Sequence, residues 1–216
     1  MKQKDLSNYR KSYEKSELNE SSIHDNPLEQ FNMWFDEVEN SSGIDEPNAM
    51  TLSTIGIDGF PKSRVVLMKK ITSEGFIFFT NYESEKGKAL NINPLSCLSF
   101  FWPNLERQVI IKGKSEKIST ILSDTYFKSR PLKSQLGAIV SEQSNVVDSR
   151  IILEKRLVAK EKEYKGKEIS RPDNWGGYIV KPLSIEFWQG RPNRLHDRIR
   201  YTLKDEGDWK IERLQP

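Results

Sequence analysis

Of the 216 residues, one is cysteine, Cys97, and two are histidine. A lone thiol excludes an intrachain disulfide framework, and with so few imidazoles it leaves no zinc cluster, so no metal is expected. Such sparing cysteine use fits a reducing, cytoplasmic setting. Long apolar runs are also missing. No stretch of about 18 apolar residues occurs, and Met1-Lys2-Gln3-Lys4-Asp5-Leu6-Ser7 lacks the apolar core of a signal peptide, so the chain is expected to be neither exported nor membrane-spanning. Excess charge of one sign is absent too: 34 basic residues face 31 acidic ones, a net +3 too small and too mixed to imply a nucleic-acid partner. Neither G-x-G-x-x-G nor a P-loop appears, which leaves a nicotinamide-binding Rossmann domain without support. No internal repeat or low-complexity segment interrupts the chain.

What is present has the length of one domain with a sizeable core. Residues 1 to 25 are polar and charged and are expected to be mobile, with Arg10 and Tyr13 three apart on one face of any helix that forms. The remaining 26 to 216 are expected to form a single domain. Asn26 caps a helix that opens with Pro27, Glu29 completes a capping box, and Leu28, Phe31, Trp34, Phe35 and Val38 make its core-facing stripe before Ser42-Gly43. Short strands follow over 49–55, 62–71, 75–80, 96–102 and 108–117, with a helical crossing near 86–92. Helix returns over 119–139 with a break at Ser129-Arg130-Pro131, and a charged amphipathic helix is expected over 146–164. Four strands, 178–182, 183–188, 195–203 and 208–214, close the chain. Tight turns without a βαβ rhythm predict a mainly β fold with flanking helices, an antiparallel barrel or sandwich.

The stretch Ile185-Glu186-Phe187-Trp188, a turn over Gln189–Asn193, then Arg194-Leu195-His196-Asp197-Arg198 has the pattern of a β-hairpin. In a returning strand the period of two puts Arg194, His196 and Arg198 on one face, suited to a planar anion. On spacing alone a solvated polar face of an edge strand is the better reading. The wording of this stretch resembles the C-terminal signature of the pyridoxamine (pyridoxine) 5'-phosphate oxidases. Further motifs resemble that family in the same order along nearly the whole chain, from Arg10 to the terminal Leu214-Gln215-Pro216.

The resemblance implies a split antiparallel β-barrel that binds FMN, and a homodimer with flavin sites at the subunit interface. It implies oxidation of pyridoxine 5'-phosphate and pyridoxamine 5'-phosphate by dioxygen to pyridoxal 5'-phosphate, a step of vitamin B6 metabolism that yields hydrogen peroxide and, from the amine, ammonia. It also assigns residues. Arg64 would contact FMN, Val65, Val66, Leu67 and Met68 would line the flavin ring, and Lys69 would serve flavin and substrate phosphate. By strand parity Arg64 and Lys69, five apart, face opposite ways and serve different ligands or different ends of one pocket, and two snorkelling strand-end charges are the plain alternative.

Phe79, Thr80 and Lys86 belong to a strand end that opens a helix, a physically reasonable phosphate site. Glu85 departs from the family, which usually has a basic residue there; either it turns away, or FMN binds more weakly. Gln108, Gln143, Ser144, Trp188 and Arg198 extend the implied flavin set. Tyr126, Arg130 and Ser134, four and four apart around Pro131, would cradle the substrate phosphate, and Arg194 and His196 would bear on the reacting ring. Arg10 and Tyr13 would lie on the segment that closes over the substrate. A related split-barrel flavin enzyme acting on another small molecule, and a non-catalytic binder of FMN or pyridoxal phosphate, stay open.

Overall fold

The computed structural model describes residues 3–216, so the first two residues of the N-terminal segment lie outside the described residues. Five α-helices and nine strands are present among them. In order they are α1 (Pro27–Glu39), β1 (Ala49–Ile55), β2 (Pro61–Leu67), β3 (Lys70–Thr72), β4 (Gly75–Asn81), α2 (Glu85–Ile92), β5 (Leu95–Trp102) and β6 (Arg107–Lys117). Then come α3 (Thr120–Ser129), α4 (Leu132–Val140), α5 (Arg150–Glu163), β7 (Trp175–Gln189), β8 (Asp197–Leu203) and β9 (Trp209–Arg213). The expected mainly β architecture with flanking helices is therefore present. The chain divides into two compact units, one of residues up to Pro47, Ser99–Ile111 and Leu183–Pro216, the other of Asn48–Leu98 and Lys112–Pro182.

The strand order of the sheet is β2-β1-β5-β6-β7-β4-β3, with β8 and β9 continuing off β7. β1 and β2 pair antiparallel from Ala49↔Leu67 to Ile55↔Pro61, and β4 pairs β7 from Phe76↔Val180 to Asn81↔Trp175. The strand expected over 62–71 is two strands, because the backbone changes partner in its middle. Met68 N–H donates to Asn48 O, and the next donor, Lys69 N–H, turns to Ile77 O. Gly176 and Gly177 let neighbours approach the start of β7 closely. An added Cβ would lie 2.1 Å from the Tyr82 hydroxyl at Gly176 and 2.4 Å from Ile118 at Gly177. Phe127, Leu136, Ile169 and Trp175 form a small core here, with Phe79 and Tyr126 packed on it.

In the first unit β7 pairs β8 from Ser184↔Thr202 to Gln189↔Asp197, and β8 pairs β9. Its core is aromatic. Phe31 and Trp34 of α1 meet Phe100 and Phe187 with ring centroids 5.1 and 5.2 Å apart, and all four are buried. Asn26 caps α1 by accepting from Leu28 N–H at 2.8 Å. The expected capping box gives way to another contact, since the Glu29 carboxylate lies 3.6 Å from His24 Nδ1.

Three further boundaries differ from the sequence reading. The strands expected at 178–182 and 183–188 are one 15-residue strand, β7. The helix expected from 146 starts at Arg150 after an exposed loop. The strand expected from 195 starts at Asp197, because Asn193 and Arg194 adopt left-handed backbone (φ 57° and 63°) inside a short 3₁₀ turn, Pro192–Arg194. The period-two argument therefore fails for Arg194 and His196. Arg198 alone of the three sits in the strand, and its guanidinium pairs with Glu186 at 2.8 Å.

Candidate active site

A cavity of about 450 Å³ lies in the second unit and is walled by cations and aromatic rings. Arg64 reaches it from β2. Its guanidinium donates to Thr54 Oγ1 at 2.8 Å and to the carbonyls of Lys62 and Leu52. All three acceptors are neutral, and burial pulls the guanidinium's pKa down, with the Glu85 charge opposing. Lys86, in the first turn of α2, is 7% exposed. Its ammonium lies 3.3 Å from Thr80 Oγ1 and 3.5 Å from Ser84 Oγ. Burial, and then the neighbouring Arg64 charge, push its pKa down, while Glu85 works the other way. Two desolvated cations held by neutral oxygens form an anion site.

Glu85 does not enter that site. Its carboxylate takes the Lys62 ammonium, which Asp58 also holds at 2.9 Å, and its backbone N–H donates to Ser144 Oγ at 3.2 Å. Thr80 is also 3.4 Å from Gln143 Oε1. Val65, Val66, Leu67 and Lys69 line the same cavity. Arg64 and Lys69 line one cavity, in keeping with two ends of one pocket, and the regular strand between them stops at Leu67. Met68 points elsewhere and is buried at 4% exposure.

The other wall is built on α3 and the start of β7. Phe79 and Tyr126 stack at 3.8 Å, and Trp175 lies nearly parallel to both. Arg130 caps the C-terminal end of α3, with its guanidinium 4.6 Å from the Trp175 centroid and 5.6 Å from that of Phe127. Its Nη1 is buried without a hydrogen-bond partner among the described residues. An orphaned guanidinium nitrogen beside a cavity calls for an acceptor that a ligand would bring. Burial raises the Tyr126 pKa and lowers that of Arg130. Ser134, by contrast, is exposed in the first turn of α4 and does not line the cavity. Trp175 and Asn81, which the sequence reading left unassigned, do line it.

The remaining candidates lie in the first unit. A cavity of about 670 Å³ brings Arg10 and Tyr13 together with Arg191, Arg194 and His196. The His196 ring lies 4.6 Å from that of Trp188 and 5.8 Å from that of Tyr13. Its Nδ1 accepts from the Arg191 backbone N–H at 3.0 Å, which leaves the Nε2 position to carry the proton of the neutral ring. Burial, then the Arg194 charge, hold the imidazole's pKa down, with Asp197 opposing. Gln108 is half-buried on β6 and lines neither cavity.

Residues 37–160 match the family model described as pyridoxamine 5'-phosphate oxidase, and residues 175–216 match the pyridoxine 5'-phosphate oxidase C-terminal dimerisation region. The chain belongs to the pyridoxine/pyridoxamine 5'-phosphate oxidase family. Its fold is that family's split β-barrel, and the family makes it an oxidoreductase. The pyridoxine/pyridoxamine 5'-phosphate oxidase of Flavobacterium johnsoniae is 66% identical over 210 residues, which cover 97% of this chain and 98% of that protein. That of Christiangramia forsetii is 54% identical, covering 99% and 100%. Among solved structures, PhzG from Burkholderia lata 383 in complex with tetrahydrophenazine-1-carboxylic acid superposes with a TM-score of 0.85 at 28% identity, covering 91% of this chain and 95% of that one. No helix among the described residues is long and apolar enough to cross a membrane.

Proposed function

We propose that the chain is an FMN-dependent pyridoxine/pyridoxamine 5'-phosphate oxidase. It oxidises the C4' alcohol or amine of the phosphorylated vitamer to pyridoxal 5'-phosphate, with dioxygen as acceptor, hydrogen peroxide as co-product and ammonia released from the amine. The reading is carried by one observation: Arg64, Lys86 and Arg130 converge on a single aromatic-walled cavity, none of them ion-paired among the described residues. That donor set fits a flavin phosphate and a substrate phosphate, and the cavity volume is within the range of cofactor sites. Bound FMN supplies the hydride acceptor and passes electrons on to dioxygen.

The chain's own residues bind and orient. Arg64, Thr80 and Lys86, with Gln143 and Ser144, hold the FMN phosphate end, and residues 65 to 67 lie along the flavin. Lys69, Tyr126 and Arg130 take the substrate phosphate, and fixing that anchor sets where C4' can go. Arg194 and His196 bear on the substrate ring, with His196 donating from Nε2–H. Arg10 and Tyr13 cover the substrate and shed water. Gln108, Trp188 and Arg198 complete the flavin environment in a homodimer whose flavin sites lie at the subunit interface, which the match to the dimerisation region supports. The single, half-buried Cys97 agrees with a cytoplasmic setting.

The test is anaerobic mixing of FMN-loaded protein with pyridoxine 5'-phosphate, followed by admission of oxygen and an aldehyde assay. Bleaching of the flavin, recovery with oxygen and aldehyde formation are expected. Bound flavin that does not bleach would overturn the substrate assignment, and failure to retain FMN would overturn the cofactor assignment.

A further inference from the structure

Glu106 has no part in the chemistry above, yet its surroundings are specific. It sits between β5 and β6 in left-handed backbone, φ 56°, and is 2% exposed. A carboxylate so desolvated must be compensated by donors. Three arrive, all from one short segment near the N-terminus. The Lys11 ammonium lies 3.1 Å from Oε1, and the backbone N–H groups of Glu14 and Lys15 donate to Oε2 at 2.9 and 3.1 Å. The Lys15 ammonium also donates to Asn104 O, two residues before Glu106.

The mount beneath this clamp is fixed. Arg107 is tied to Glu37 at 2.7 Å and to Gln189 at 2.9 Å, and Gly190 N–H donates to Glu106 O at 2.7 Å. Gly190 is also where the segment comes down, since an added Cβ would stand 2.8 Å from Tyr13 Cγ and 2.9 Å from Tyr13 Cβ. Tyr13 thereby packs edge-on against Trp188 at 5.8 Å and beside His196.

We propose that Glu106 is a positioning residue for substrate binding: by gripping residues 11 to 15 it holds Arg10 and Tyr13 against the His196 cavity. The proposal rests on the reading that this segment covers the substrate. Ordering such a polar segment costs backbone entropy at every residue. The clamp meets that cost before substrate arrives, so its loss should raise KM and leave kcat nearly unchanged.

The test compares FMN-loaded wild type with Glu106→Gln, Lys11→Met and Gly190→Ala. Lys11 is exposed, so its variant removes one donor without threatening the fold. KM and kcat for pyridoxine 5'-phosphate are measured, together with the rate of tryptic cleavage at Arg10 and Lys15, sites that all the chains share, followed by mass spectrometry. Expected are faster cleavage in all three variants, a KM raised about tenfold in Glu106→Gln and Gly190→Ala, a smaller rise in Lys11→Met, and unchanged bound flavin. Cleavage at the wild-type rate in all three would overturn the clamp. Faster cleavage with unchanged KM would overturn its role in substrate binding. The cleavage arm holds even if the wild type proves inactive, so the clamp and the functional reading fail separately.

Discussion

Glu85 brings a negative charge to the edge of an anion site, and what disarms it is Lys62. Arg64 and Lys86 both feel the Glu85 charge, but its carboxylate is spent on the Lys62 ammonium, itself held from the other side by Asp58. Lys62→Met should free Glu85 to repel the FMN phosphate and weaken FMN binding to the apoprotein by about two- to fivefold, the range of a partly screened charge pair. Glu85→Gln in the same chain should restore it. Flavin fluorescence quenching measures both, and an unchanged dissociation constant in the single variant would mean that Glu85 never faces the phosphate. His196 makes a second prediction at this scale. Burial and the Arg194 charge hold its pKa below the ordinary 6.5, so between that lowered value and 6.5 the unfolded chain binds the proton more readily than the folded one. Stability therefore rises with pH across that window and is lost as pH falls through it, and the neutral, Nε2-protonated ring persists below pH 6.5. Imidazole NMR on a chain with two histidines resolves this directly. The His196 midpoint should lie below 6.5 and move up in Arg194→Gln, and a midpoint above 6.5 in the wild type would refute the assignment.

Elements whose boundaries are local were legible in the residues. Asn26-Pro27 opens α1 by a side-chain cap and a preset φ, and Pro131 parts α3 from α4, as spacing and proline chemistry predict. Boundaries set by distant partners were not. Nothing near Met68 shows that its N–H belongs to Asn48 and the next to Ile77, so 62–71 looked like one strand. The break expected between 182 and 183 falls within β7, between the residues paired to β4, ending at Val180, and those paired to β8, beginning at Ser184. The site shows the same division. Arg64, Lys69, Thr80, Lys86, Tyr126, Arg130 and Gln143 share a cavity, and the resemblance had picked all seven. Trp175 stood outside the expected strand, 178–182, and its use depends on Arg130 lying over its ring. The geometry around Arg194 was hidden for a different reason: non-glycine residues at positive φ cost roughly 1–3 kcal/mol each, and although asparagine tolerates that region at Asn193, nothing in the sequence marks Arg194 for it. Such a turn persists where its surroundings hold it, and here the Arg191 N–H to His196 Nδ1 bond spans it.

At the scale of the whole molecule, the open question is what covers the exposed edge beside the cavity. β2 ends the strand order, and an edge strand carries unpaired backbone groups that invite pairing or must be shielded. Val65, one residue after Arg64 and itself lining the cavity, is 70% exposed on that strand. An exposed Val65 on an edge strand beside the cavity is a surface that a second copy would bury, and residues 175–216 match the family's dimerisation region. The chain should therefore sediment at about twice its 25.1 kDa mass at micromolar concentration. Because a dimer's folded state is favoured by mass action, its melting temperature should rise with protein concentration, and dilution into the monomer range should release FMN in step with dissociation. Sedimentation velocity with detection at the flavin absorbance follows mass and cofactor together. A 25.1 kDa species that keeps its flavin would show that one chain completes the site alone, and would remove the subunit interface from the account of FMN binding.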